Sequence, residues 1–185
     1  MKTFSQKGKI NTDETCRIAL ERAAASGCAV VAASTGGDSG CRLCEIADEL
    51  SFSGPIVIVT HAYGSIEPGK TALKDECREA MLSRGVRLVT AAHALSGAER
   101  GISRKFQGVY PVEIIAHTLR MFSAGVKVCV EISSMALDAG ALDFGTPVIA
   151  LGGTGRGLDT AVVITPSHAN TIFDTNIHEI LCMPY

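Results

Sequence analysis

The sequence predicts an α/β domain built on a mainly parallel sheet, and three observations carry that reading. Short apolar runs recur along the chain, stretches with helical spacing separate them, and glycine-rich loops follow two of the runs. The runs Cys28 to Ala33 and Ile56 to Thr60 are continuously apolar rather than alternating, as expected of strands covered on both faces.

The elements follow in order. Thr12 or Asp13 can cap a first helix whose apolar positions Cys16, Ile18, Leu20, Ala23 and Ala24 lie mostly on one face, and Gly27 can end it. The strand Cys28 to Ala33 leads into the loop Ser34 to Gly40. Leu43, Ile46, Ala47 and Leu50 then mark a helix, and Gly54-Pro55 opens the second strand. A loop from His61 to Thr71, a helix from Ala72 to Arg84 and a strand from Val86 to Thr90 repeat the unit. A long loop is expected from Ala91 to Gly108, of the kind that often serves as a lid or binding loop.

Tyr110 to Ala124 reads as a helix with Pro111 in its first turn. Val126 to Ala139 fits both periods, because Val126, Val128 and Val130 alternate while Val126, Val130, Ile132, Met135 and Ala136 mark a helical face; helix is the preferred reading. Strands Thr146 to Leu151 and Asp159 to Thr165, joined by the short loop Gly152 to Gly157, form an antiparallel pair. The chain is thus read as one domain, 1–185, with an N-terminal arm at 1–10 and a C-terminal extension at 166–185.

Composition narrows the function classes. The 185 residues are 46% hydrophobic, and 17 basic residues nearly balance 19 acidic ones for a formal charge of -2. No window interleaves basic and aromatic residues as a nucleic-acid groove would. Met1 to Ile10 holds three lysines without the apolar run of a signal peptide, and no stretch reaches the roughly 18 residues of a membrane span. Seven cysteines without framework spacing fit reduced thiols, so a cytoplasmic protein is expected. A homo-oligomer is compatible with the sequence.

The chemistry-bearing signals are the two glycine-rich loops. Phosphate oxygens require several converging donors, and backbone N–H groups converge only where small residues let the chain fold closely around a ligand. The first loop supplies Ser34, Thr35, Gly36, Gly37, Asp38, Ser39 and Gly40 at the start of a helix; the second supplies Gly152, Gly153, Thr154, Gly155, Arg156 and Gly157, with an arginine able to fork onto phosphate. Neither is a Walker or dinucleotide fingerprint, and tight turns alone also demand glycine. If the strands before them are neighbours, both loops meet where ligands collect in an open parallel sheet.

Thr60, His61 and Tyr63 follow the second strand and project over the same edge, as do His93 and Phe106 from the long loop. Cys41 and Cys44, spaced as a dithiol at a helix start, are a redox candidate set against the plainer reading of small core residues. No catalytic residue is assigned and no metal set is visible.

The pattern resembles the C-terminal domain of pyruvate kinase, and more closely the free-standing relatives of that domain. The resemblance runs from about Asn11 to Thr165. Its markers are Asn11-Thr12-Asp13-Glu14-Thr15, the loop Ser34 to Gly40, Pro55 to His61, and Gly145 to Val163 around the second glycine loop. It implies a three-layer α/β/α sandwich with a five-stranded sheet of order 3, 2, 1, 4, 5, strand 5 antiparallel. It further implies that Ser34, Thr35 and Ser39 match in kind a phosphate-binding loop, and that flavin mononucleotide (FMN) is the ligand of the free-standing group. Pyruvate kinase activity is not expected, since the catalytic barrel does not fit in this length. Two function classes stand: a binding domain for a phosphorylated small molecule, FMN foremost, and a small flavin- or thiol-dependent oxidoreductase.

Overall fold

The computed structural model describes residues 1–185. Its strands are β1 (Lys2–Phe4), β2 (Ala29–Ala33), β3 (Ile56–Thr60), β4 (Arg87–Thr90), β5 (Val148–Gly152), β6 (Thr160–Thr165) and β7 (Asn176–Pro184). Its helices are α1 (Thr12–Ser26), α2 (Asp38–Glu49), α3 (Asp75–Ser83), α4 (Gly97–Phe106), α5 (Pro111–Arg120) and α6 (Ala124–Asp138), with short 3-10 turns at Lys9–Asn11 and Ala169–Asp174.

One sheet of order β1-β7-β6-β5-β2-β3-β4 runs through the molecule, which corrects the expected five-stranded sheet. The expected strands occupy β4-β3-β2-β5-β6, and β7 and β1 extend the sheet beyond β6. β2 pairs in parallel with β3 and β5, and β3 with β4, while β6 lies antiparallel to β5 and β7. The two added strands come from the segments read as arm and extension. β1 has three residues, two of them exposed, and β7 is exposed along its first half and pairs with β6 through two irregular registers, so neither carries a clean strand period.

Alternate residues of each central strand feed two cores. Val30, Ile56, Ile58, Ile149 and Leu151 pack with Leu20, Leu43, Ile46 and Met81 on the α1–α3 side, while Val31, Val57, Val59, Val148 and Ala150 pack with Val126, Val130, Ile132 and Met135 on the other. This double burial explains the continuous apolar runs. The ambiguous segment is helix α6, buried almost all round from Gly125 to Leu137, which is why its apolar pattern shows no single face. Ser123 caps it by accepting the Val126 N–H at 3.0 Å. The expected long loop 91–108 is corrected too: most of it is α4, with Glu99 accepting the Glu113 N–H at 3.0 Å and tying α4 to α5.

Candidate functional site

Because β2 and β5 are parallel neighbours, the loops that follow them leave the sheet at the same edge. In the first loop Ser34 is buried, donates its N–H to the Val59 carbonyl at 3.0 Å, and accepts the Gly40 N–H on Oγ at 3.0 Å. Gly37, with φ +100°, opens α2, and a Cβ there would lie 2.3 Å from Cys77 Cβ. The glycine thus lets α3 approach the loop as well as allowing the turn. The backbone N–H groups of Gly36, Gly37, Asp38 and Ser39 have no acceptor within the chain. Four consecutive free donors at a helix start are the kind of donor set that an anion requires.

The second loop is organised by Asp159, which is fully buried. Its Oδ2 accepts the Gly8 N–H at 2.8 Å and the Thr154 N–H at 3.2 Å, and its Oδ1 accepts the Thr160 hydroxyl at 2.9 Å. Thr12 Oγ1 accepts the Leu158 N–H at 3.1 Å, so the start of α1 and the N-terminal segment close over this loop. Gly152 is required by packing: a Cβ there would sit 2.4 Å from the Gly125 carbonyl oxygen at the start of α6. Gly155 and Gly157 have φ of +75° and +80°. Arg156 is exposed and has no carboxylate partner.

Electrostatics link the two loops. Lys74 Nζ lies 2.6 Å from Asp38 Oδ1, and this contact first, then the charges of Lys74, Lys9 and Arg156, holds the Asp38 carboxyl below its ordinary range. Lys74 thus adds a cation at the first loop, and Lys9, whose Cα lies 2.4 Å from where a Cβ on Gly157 would be, adds one beside Arg156 at the second; neither is among the residues picked out in the sequence. The sequence places Lys9 in an N-terminal arm; the Asp159 and Thr12 contacts and the pairing of β1 with β7 bring that segment here.

The remaining candidates divide. The Thr60 hydroxyl is 2.7 Å from that of Thr90 and within 3.4 Å of the Val89 carbonyl, so it is spent inside the sheet edge. Tyr63 and Phe106 are exposed. His61 and His93 meet edge to face with ring centroids 4.7 Å apart, and His61 Nδ1 lies 3.3 Å from Ser65 Oγ. Two surface cavities, of about 550 and 520 Å³, lie away from the glycine loops: one between α5 and the 169–177 segment, the other beside His93 and the end of α6.

Burial lowers the pKa of both His61 and His93, opposed by Glu131 and reinforced by Lys127; His61 also lowers that of His93, as does Arg100. Unfolded, each imidazole returns to an ordinary value near 6.5. The unfolded chain therefore binds protons more readily, and the stability held above about pH 6.5 declines as the pH falls toward the depressed folded values. Thermal melts from pH 7.5 to 5.5 should show that decline, with a smaller drop for His93→Gln; equal drops would remove His93 from the effect.

The surroundings of Cys41 and Cys44 disfavour thiolate. Burial first, then contact with Cys77, pushes the Cys41 thiol up to about 12, and burial raises that of Cys44. Cys41 Sγ lies 3.9 Å from the Cys77 carbonyl oxygen, across the α2–α3 contact. Replacing both Cys41 and Cys44 by serine should leave phosphate-ligand affinity within about twofold by calorimetry; loss of a thiol–disulfide exchange activity in that variant would reinstate the dithiol.

Residues 13–164 match the family described as pyruvate kinase, alpha/beta domain. The match spans most of the chain, which belongs to that family.

Proposed function

We propose that this member of the pyruvate kinase alpha/beta domain family is a binding domain for a phosphorylated small molecule. The phosphate lies between Ser34 to Gly40 and Gly152 to Gly157. The observation that carries this reading is the row of four unpartnered N–H groups, Gly36 to Ser39, at a loop where the charges of Lys74, Lys9 and Arg156 act on Asp38. Asp38 is the one acid among them, and Lys74 neutralises it at 2.6 Å.

FMN is the leading candidate. Its phosphate suits the donor set, and its ring would extend along the strand ends toward His61 and Tyr63, where a half-buried imidazole and an exposed phenol offer flat surfaces. A bound flavin would supply redox chemistry that no side chain of this site provides. The chain's own residues bind and orient: the α2 amides fix the phosphate, and Arg156 can close over it as a bidentate donor.

A fluorescence titration of the purified protein with FMN and with riboflavin tests the reading. FMN should bind at least about tenfold more tightly, the effect of one charge-assisted contact set. Equal affinities would show that the phosphate is not what the protein holds.

A further inference from the structure

The same sheet edge carries a second polar cluster, on its α6 side, that phosphate binding leaves unused. Lys127 and Glu131 lie one turn apart on α6 with Nζ 2.5 Å from Oε2, and each side chain is 7% exposed. Glu131 Oε1 accepts the Leu95 N–H at 3.0 Å, which holds the segment after β4 against the helix. Glu131 is the only partner of the Lys127 ammonium within the chain, so two of its three donors are left over in a nearly closed place.

His61 and His93 follow β3 and β4 with their rings in edge contact at 4.7 Å, and Leu95, two residues beyond His93, is the residue whose N–H Glu131 accepts. Both rings are half-buried, both lie within electrostatic reach of Lys127 and Glu131, and the His93 nitrogens bond to nothing in the chain. Burial keeps both imidazoles neutral at ordinary pH, the form that accepts a proton. The cluster also adjoins the second glycine loop. A Cβ on Gly152 would meet the Gly125 carbonyl, Val128 and the Cys129 nitrogen, the residues on either side of Lys127 in α6.

We propose that Lys127, Glu131, His61 and His93 form an acid–base centre that moves the proton on the carbon next to the carbonyl group of a phosphorylated carbonyl compound. The proposal rests on the phosphate being anchored at the glycine loops. An unpartnered His93 nitrogen takes the proton as the C–H bond breaks. The C–H electron pair becomes the carbon–carbon double bond of an enolate, and the carbonyl π pair moves onto oxygen, where the Lys127 ammonium faces the new negative charge. Return of the proton to carbon restores the carbonyl, so nothing is oxidised or reduced and no co-reactant is consumed. Glu131 holds Lys127 in place, and His61 sets the His93 ring by its edge contact. Such a substrate and FMN would compete for one phosphate cradle.

The test uses the full chain with dihydroxyacetone phosphate in D2O. Phosphorus NMR line broadening reads binding, and proton NMR reads loss of the C–H signal beside the carbonyl. The native protein should catalyse deuterium uptake, and His93→Gln, at a half-exposed position, should lower the rate by about 100-fold or more while the broadening persists. Lys127→Met should do the same; if circular dichroism shows that it does not fold, His93→Gln decides alone. Binding without deuterium uptake by the native chain overturns the acid–base centre and leaves the phosphate reading standing. Uptake that His93→Gln does not slow also overturns it. Absence of broadening removes the phosphate anchor, and this proposal falls with it.

Discussion

Glu131→Leu should lower the stability of the chain by about 3–5 kcal/mol, the cost of leaving one member of a buried ion pair alone. Lys127 Nζ would lose its partner at 2.5 Å, and the Leu95 N–H would lose its acceptor in the same stroke. Burial lowers the Lys127 pKa against the pull of Glu131, with Arg120 and Arg100 adding like charge, so Glu131 is what offsets the cost of burying this cation. The double replacement Lys127→Met with Glu131→Leu should recover much of the loss, because it removes both charges together. Urea denaturation of the three variants separates these terms. A loss below about 1 kcal/mol for Glu131→Leu would mean that the pair is screened by solvent and does not hold the segment after β4.

The second large effect concerns the ligand. Arg156→Ala should weaken binding of FMN by about 1.5–3 kcal/mol, or roughly 10- to 150-fold, as expected for a lost charge-assisted hydrogen bond. Fold stability should hardly change, since the side chain is exposed and makes no ion pair in the chain. Calorimetry gives the comparison directly, and unchanged affinity would take Arg156 out of the site.

Much of the architecture was legible because burial on both faces writes continuous apolar runs: β2, β3 and β5 stand within two residues of the expected positions. The outer strands were not legible. Lys2–Phe4 and the first half of β7 are exposed and nearly free of apolar period, so pairing with β6 rather than side-chain pattern makes them strands. α4 was hidden for a related reason. None of its residues is buried, and its glycines Gly97 and Gly101 read as loop.

The glycine loops were legible as loops, and the parallel pairing of β2 with β5 sets their strands side by side. Part of their glycine content answers to packing instead: Gly37 makes room for Cys77, Gly40 for Met81 and Gly152 for α6. Lys9, Lys74 and Lys127 escaped the sequence reading, and Asp159 and Glu131 stood in it only as acids without a paired carboxylate, because their roles depend on contacts across the fold. Gly8 and Asp159 are 151 residues apart, and Lys74 reaches Asp38 across 36. The i,i+4 spacing of Lys127 and Glu131 was a visible signal, but such spacing usually marks an exposed helix face.

A crystal of this protein soaked with FMN tests the central claim most directly. The account predicts phosphate density between Ser34 to Gly40 and Gly152 to Gly157, within hydrogen-bond distance of the Gly36 to Ser39 amides and of Arg156, with the ring directed toward His61. Phosphate density at any other place on the molecule would contradict it.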